Sequence, residues 1–165
     1  MKKVGPVSEV FDIGCGDGFM SKYFLELGSR VTGIDSINKP LIKNKNFKFL
    51  DKDIRDYKFI KKFDLNICSL FLHFFTKEGA NYLLKKIKEN TKSGGYNLLI
   101  CMTNKDNFSK YKPTNFYPSS SDLIKLYSDW NLISIVSGET EKENHGNLGE
   151  HYHNLVFALF QKNIN

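Results

Sequence analysis

The stretch Glu9-Val-Phe-Asp-Ile-Gly-Cys-Gly-Asp-Gly18 decides how the rest of the chain is read. Val10, Phe11 and Ile13 form a short apolar run suited to a buried strand, and Phe19, Met20, Tyr23, Phe24 and Leu27 follow at helical spacing. A strand therefore passes into a helix through a turn holding Gly14, Gly16 and Gly18. Glycine lets the backbone take conformations that a side chain forbids and lets a ligand come close to the main chain. One carboxylate, Asp12, stands just before the turn.

The glycine spacing separates the nucleotide ligands such a turn could serve. A dinucleotide fingerprint needs its third glycine one residue later, where Phe19 stands, and Asp12 would set a negative charge toward a pyrophosphate. A Walker turn needs a following Gly-Lys-Ser or Gly-Lys-Thr, which is missing. A ligand with a cationic end and no phosphate would gain from Asp12. S-adenosylmethionine, with its ammonium and sulfonium, is such a ligand.

Asp12-Ile-Gly-Cys-Gly-Asp-Gly18 resembles the first motif of the Rossmann-like S-adenosylmethionine-dependent methyltransferases, acidic-x-Gly-x-Gly-x-Gly. Arg30-Val-Thr-Gly-Ile-Asp35 is similar to that family's second strand, whose terminal acid accepts the ribose hydroxyls. Asp53 matches the acidic position near the adenine amino group. Phe63 to Ser69 resembles the fourth strand, and Ser93-Gly-Gly-Tyr-Asn-Leu-Leu-Ile100 the glycine turn and fifth strand. The resemblance implies an α/β fold with a doubly wound, mostly parallel seven-stranded sheet and a C-terminal antiparallel hairpin. It implies S-adenosylmethionine as cofactor, bound by Asp12, Gly14, Gly16, Gly18, Asp35, Ser36, Asp53, Ile54, Ser69 and Leu70. Within the family, Lys92 to Leu99, Phe116-Tyr117 ahead of a capped helix, and a polar loop before the last strand resemble small bacterial tellurite-resistance and thiol-methylating proteins. Members of that group use a histidine and arginines in the polar loop; here the loop has histidines and no arginine.

The bulk properties bound the rest. At 165 residues, 41% hydrophobic and 14% aromatic, the expectation is a single methyltransferase domain over 1–165. Only about eight residues precede the first strand, so the helix that covers the cofactor in such enzymes is expected to be missing. Met1-Lys-Lys runs into Gly5-Pro6 instead of an apolar leader, and no apolar run is long enough to span a bilayer, which together suggest a cytoplasmic protein. Cys15, Cys68 and Cys101 are far apart and read as reduced and structural. The net charge of +6 is spread over lysines without a dense stripe or interleaved aromatics, so nucleic acid is not the expected partner. Lys85, Lys86 and Lys88 flank Ala80, Leu83, Leu84 and Ile87 as the solvated face of a helix.

Toward the acceptor, the apolar run from Phe63 ends in Cys68-Ser-Leu-Phe-Leu-His-Phe74. It lacks the Pro-Pro-aromatic ending typical of nucleic-acid amino-methyltransferases and any Pro-Cys nucleophile, which argues for a small-molecule acceptor. His73 is a candidate base, with a polar cap in an apolar loop as its plainer role. Asn104 to Ser119 has no clear periodicity and carries Phe108, Tyr111, Phe116 and Tyr117, an expected aromatic wall over the substrate. Ser120 or Ser121 is the expected cap of the next helix. His145, His151 and His153 fall in the acidic connection before the last strand; His151-Tyr-His153 alternates as a two-imidazole metal site would, but the reading is a substrate-facing polar cluster with no metal. The function that follows is direct in-line methyl transfer to a small nucleophile, with His73, His151 and His153 as candidate bases. An RNA methyltransferase, or a domain that binds the cofactor without catalysis, are the alternatives.

Overall fold

The computed structural model describes residues 7–144 and 149–164. The amino-terminal reading on Met1 to Pro6 and the candidate His145 lie outside the described residues. Strands β1 (Glu9–Ile13), β2 (Arg30–Asp35), β3 (Phe47–Asp51), β4 (Phe63–Ser69), β5 (Thr91–Met102), β6 (Asn131–Glu139), β7 (Glu143–Asn144), β8 (Glu150–His151) and β9 (Asn154–Gln161) alternate with helices α1 (Phe19–Glu26), α2 (Lys77–Glu89), α3 (Phe108–Tyr111) and α4 (Ser120–Leu126). Seven strands form one sheet in the order β3-β2-β1-β4-β5-β9-β6, and β7 pairs with β8 in a small separate hairpin. The first five strands run parallel, while β9 inserts antiparallel between β5 and β6. The expected architecture is therefore present. Among the described residues, no helix is long and apolar enough to cross a membrane.

Each face of the sheet is covered differently. Phe11, Ile13, Leu99, Cys101, Val156 and Phe160 pack with α2 and α4 into the larger core, through Ala80, Leu84, Ile87 and Leu123. On the other face Val10, Val31, Leu65 and Ile67 meet Phe24 and Leu25 of α1. Here the periodicity of the sequence misleads. Phe19 is 82% exposed and Leu27 63%, whereas Ser21, Phe24 and Leu25 are buried. The helix is only eight residues long, and its inward face is set by a polar contact from Ser21 to Asp12, described below. The link 36–46 holds no helix, so α1 shares that face with loop residues such as Ile42.

Three local features differ from expectation. The glycine pair Gly94-Gly95 lies inside β5, which starts at Thr91 and slips register opposite Phe63 and Leu65; a Cβ on Gly95 would stand 2.9 Å from the carbonyl oxygens of Asp64 and Lys92. The cap of α4 is Ser119, one residue earlier than expected, in a reciprocal capping box with Asp122. Phe116 is core, at 4% exposure, and so does not wall a substrate site.

Tyr127, whose spacing with Leu123 and Trp130 marks an apolar face, also serves a buried polar chain. Asn97 Nδ2 donates to the Tyr127 hydroxyl at 3.0 Å, and Asn66 Nδ2 donates to Thr91 Oγ1 at 2.9 Å beside it. Tyr127→Phe keeps the stack on Phe160 and strands the Asn97 amide, so it should cost about 1–3 kcal/mol in urea unfolding. An unchanged stability would mean that water replaces the hydroxyl.

Candidate functional site

The strand order reverses between β1 and β4, and in an open α/β sheet the crevice outside the carboxyl ends at such a reversal is where ligands bind. A cavity of about 560 Å³ opens there, within the range of small-molecule sites. Asp12, Gly14, Gly16, Asp35, Ser36, Asp53, Ile54, Ser69 and Leu70 line it together with Phe71, Phe74 and Arg55. Gly18 does not. It precedes α1 at φ +78°, where a Cβ would stand 2.6 Å from Ile42 Cδ1, so its part is to let the helix start against the 36–46 link.

Asp12 is the most unusual of these groups. It is 1% exposed, and its carboxylate accepts the Ser21 hydroxyl at 2.7 Å and the Ser21 backbone N–H as well. Burial raises its pKa to about 6 against those hydrogen bonds, and the charge of Asp35 pushes the same way as burial. Asp35, at the end of β2, works on the backbone. Its Oδ2 accepts the Gly16 amide at 3.0 Å, and its Oδ1 accepts the amides of Ile37 and Asn38 at 2.8 and 2.9 Å. Gly14 and Cys15 both donate to the Ile34 carbonyl. These bonds tie the glycine turn to the neighbouring strand. Gly16, at φ +51°, would meet only Asn38 at 3.9 Å if it carried a Cβ, so open space lies before its backbone.

Asp53 caps the tight helical turn Ile54–Asp56 by accepting the Arg55 amide, and the Arg55 guanidinium grips the same carboxylate at 2.6 Å. That hydrogen-bonded pairing holds Asp53 below its ordinary carboxylate range. Cys15 is buried and its thiol is pushed up to about 12 by burial, which leaves it inert as a nucleophile. On the far wall, Leu70 has φ +48°, the one non-glycine with positive φ among the described residues. Its amide donates to the Ile100 carbonyl at 2.8 Å. Backbone of this kind costs about 1–3 kcal/mol and concentrates at functional sites. The bend directs Phe71 across the turn, where its ring fills the place a Gly14 Cβ would occupy.

The three candidate histidines fall in one neighbourhood beyond this bend. His73 sits in the tight turn Leu72–Phe74, its ring 4.1 Å from that of Phe74 and near-parallel to Tyr117 at 6.5 Å. Its Nδ1 is buried without a hydrogen-bond partner, and burial pulls the imidazole down to about 4 while Asp106 pulls it up. His151 and His153 meet edge to face at 5.0 Å. His153 Nδ1 lies 3.1 Å from Asp106 Oδ2, and Asp106 also accepts the amides of Asn154 and Phe108. Sequence reasoning missed Asp106, a single acid in an aperiodic segment, 47 positions from His153. Its turn chemistry was visible in Thr103-Asn-Lys-Asp-Asn107; its imidazole partner was not. Among the described residues, no three His, Cys, Asp or Glu side chains converge as a metal site.

A family model described as "Tellurite resistance protein TehB" matches residues 1–154. The chain belongs to this family. This TehB-family chain is 27% identical over 150 residues, 84% of its length, to the Haemophilus influenzae protein named "Probable S-adenosyl-L-methionine-dependent methyltransferase TehB". It covers 52% of that protein, about half the length of the curated relatives it matches. It is also similar to the crystal structure of TehB from Haemophilus influenzae, with a TM-score of 0.76 and 22% identity over 98% of this chain and 59% of that one. A third likeness, with a TM-score of 0.71 and 18% identity, is to the Burkholderia thailandensis 1,6-didemethyltoxoflavin-N1-methyltransferase. That structure holds 1,6-didemethyltoxoflavin and S-adenosylhomocysteine, and the match covers 98% of this chain and 74% of that one. The sheet of the TehB-family chain is thus that of the Rossmann-like methyltransferases.

The buried acid has a measurable consequence for stability. A carboxyl raised from 3.8 to about 6 costs the folded state about 3 kcal/mol above pH 6. The cost is absent below pH 3.8, where Asp12 is protonated in both states, and grows between pH 4 and pH 6. Asp12→Asn keeps an oxygen for Ser21 and removes the charge. It should therefore stabilise the unliganded protein by up to about 3 kcal/mol at pH 8 and by much less at pH 4, as read by urea unfolding. Equal effects at both pH values would place the charge in solvent.

Proposed function

We propose that this chain is an S-adenosylmethionine-dependent methyltransferase that acts on a small-molecule nucleophile by direct in-line methyl transfer. The observation that carries this reading is one cavity edged by Asp12, Asp35 and Asp53, just before or at the carboxyl ends of β1 and β2 and just past that of β3. Their environments differ as the parts of the cofactor do. The buried Asp12 suits an ammonium, which would offset its desolvation. Asp35, with both sites of Oδ1 taken by amides and one of Oδ2 taken by Gly16, retains one Oδ2 lone pair for a ribose hydroxyl beside Ser36, and Asp53 with Ile54 borders the adenine position. The backbone before Gly16 is open where a side chain would fill the space. The names of the TehB relatives and the small molecule held by the Burkholderia enzyme favour the same reading.

When bound, S-adenosylmethionine supplies an electrophilic methyl on a sulfonium. The work left to this chain is positional. Asp12 and Asp35 anchor the ammonium and the ribose of the ligand to one rigid turn, and Ser69 and Leu70 present backbone where β4 ends. His73, His151 and His153 stand on the acceptor side to receive a proton. Alignment of this kind is worth roughly 7 to 11 kcal/mol in well-oriented reactions. The three buried, free cysteines fit a reducing cytoplasm.

One feature favours the alternative of binding without transfer, namely the polar loop before β9, which holds histidines and no arginine. Calorimetry with S-adenosylmethionine and S-adenosylhomocysteine, followed by assay with labelled methyl donor, distinguishes the two. Micromolar binding by the wild-type chain is expected, weakened about 10- to 100-fold in Asp35→Ala through loss of charge-assisted hydrogen bonds. Absence of binding by the wild-type chain would remove the methyltransferase reading, and binding without transfer to any acceptor would leave the non-catalytic one.

A further inference from the structure

What a carboxylate can recognise depends on which of its acceptor sites remain open. Asp53 has two such sites on each oxygen. Oδ1 accepts the Arg55 amide at 2.8 Å and Arg55 Nε at 3.0 Å, and Oδ2 accepts Arg55 Nη2 at 2.6 Å. A single residue, two positions along the chain, thus fills Oδ1 and half of Oδ2, leaving one site on Oδ2. Both Asp53 and Arg55 line the cavity that Asp12 and Asp35 edge.

Burial does not hold this carboxylate in place. The Asp53 side chain is 27% exposed and that of Arg55 75%. The guanidinium fork holds it instead, because Nε and Nη2 are fixed in one plane and engage different oxygens. Asp53 cannot turn without breaking both bonds. Most exposed ion pairs contribute little to stability, but a two-point arginine pair defines a geometry. The hydrogen bonds from Arg55 also hold Asp53 in its ionised form, which accepts and never donates. The one open site therefore takes an N–H or O–H and repels a carbonyl oxygen.

Resting on the methyltransferase reading, which sets adenine beside Asp53, we infer that Arg55 is a positioning residue that gives this site its purine specificity, by locking Asp53 so that one acceptor faces the adenine amine and cannot turn toward a different base. Hypoxanthine makes the contrast. It carries a carbonyl oxygen where adenine carries the amine, and a ring N–H next to it. The locked carboxylate repels that oxygen, whereas a carboxylate free to swing would turn to the ring N–H and accept either base.

The test measures, by calorimetry on the full chain, the affinities for S-adenosylhomocysteine and S-inosylhomocysteine. The two ligands differ only in the base, so the contributions of Asp12 and Asp35 cancel in the ratio. The wild-type chain should prefer the adenine ligand about 10- to 100-fold, the effect of one hydrogen bond to a charged acceptor. Arg55→Met keeps an unbranched side chain and removes the fork. It should lower that preference about three- to tenfold, the effect of leaving one side chain free to rearrange, while urea unfolding stays near wild type because the pair is exposed. Asp53→Asn, whose amide donates as well as accepts, should bring the ratio close to one. Adding Arg55→Met to Asp53→Asn should then change the ratio no further, since Arg55 acts through the carboxylate. An unchanged ratio in Arg55→Met, the same reduction with and without Asp53→Asn, or equal affinities of the wild-type chain for the two ligands would each overturn the inference. Failure of the wild-type chain to bind S-adenosylhomocysteine is seen first and overturns the methyltransferase reading itself.

Discussion

A carboxylate buried at the end of the first strand constrains everything around it. Asp12 is shut away from water with the hydroxyl and backbone of Ser21 as partners, and a second acid stands close by. An ion in such a place is costly unless an opposite charge arrives. The fold tolerates it because both neighbouring strands hold the turn rigidly. β2 supplies the Ile34 carbonyl and the Asp35 carboxylate, and β4 pairs along the other edge. A chain stabilised only for itself would place a neutral side chain there. The charge makes sense as half of a pair whose other half is a cationic ligand.

The neighbourhood of His73 and His153 is assembled differently, from segments distant in sequence. Asp106 joins the aperiodic segment after β5 to the connection before β9, through His153 and the Asn154 amide. Thr103 and Asn154 bond each other as well. The two loops are thereby fixed to one another while Phe74 and Tyr111 remain open to solvent.

Much of this was legible in the sequence because local patterns carried it. Asp12, Gly14, Gly16 and Asp35 fall at the ends of short apolar runs, where strand geometry leaves little freedom. Other features depend on partners that no local pattern announces. The apolar spacing of Phe19, Met20, Tyr23, Phe24 and Leu27 pointed to a buried face; Phe24 is buried, but Phe19 and Leu27 are exposed, and Ser21 takes an inward place chosen by a carboxylate nine positions earlier. Asp106 and His153 meet only because β5 and β9 are neighbours in the sheet. Arg55 reads as a surface cation until the turn that Asp53 caps brings it back onto that acid. Ser119 rather than Ser120 caps α4 because Asp122 completes its capping box, a choice decided by a single residue of phase.

The pairing of Asp12 with a cationic cofactor can be read as a proton count. Calorimetric titration with S-adenosylhomocysteine at pH 6, in buffers of different ionisation enthalpy, reports the protons exchanged on binding. With Asp12 near its midpoint in the free protein, an incoming ammonium should expel about half a proton per ligand bound, and Asp12→Asn should abolish the release. Binding without proton release, or the same release from Asp12→Asn, would contradict the account.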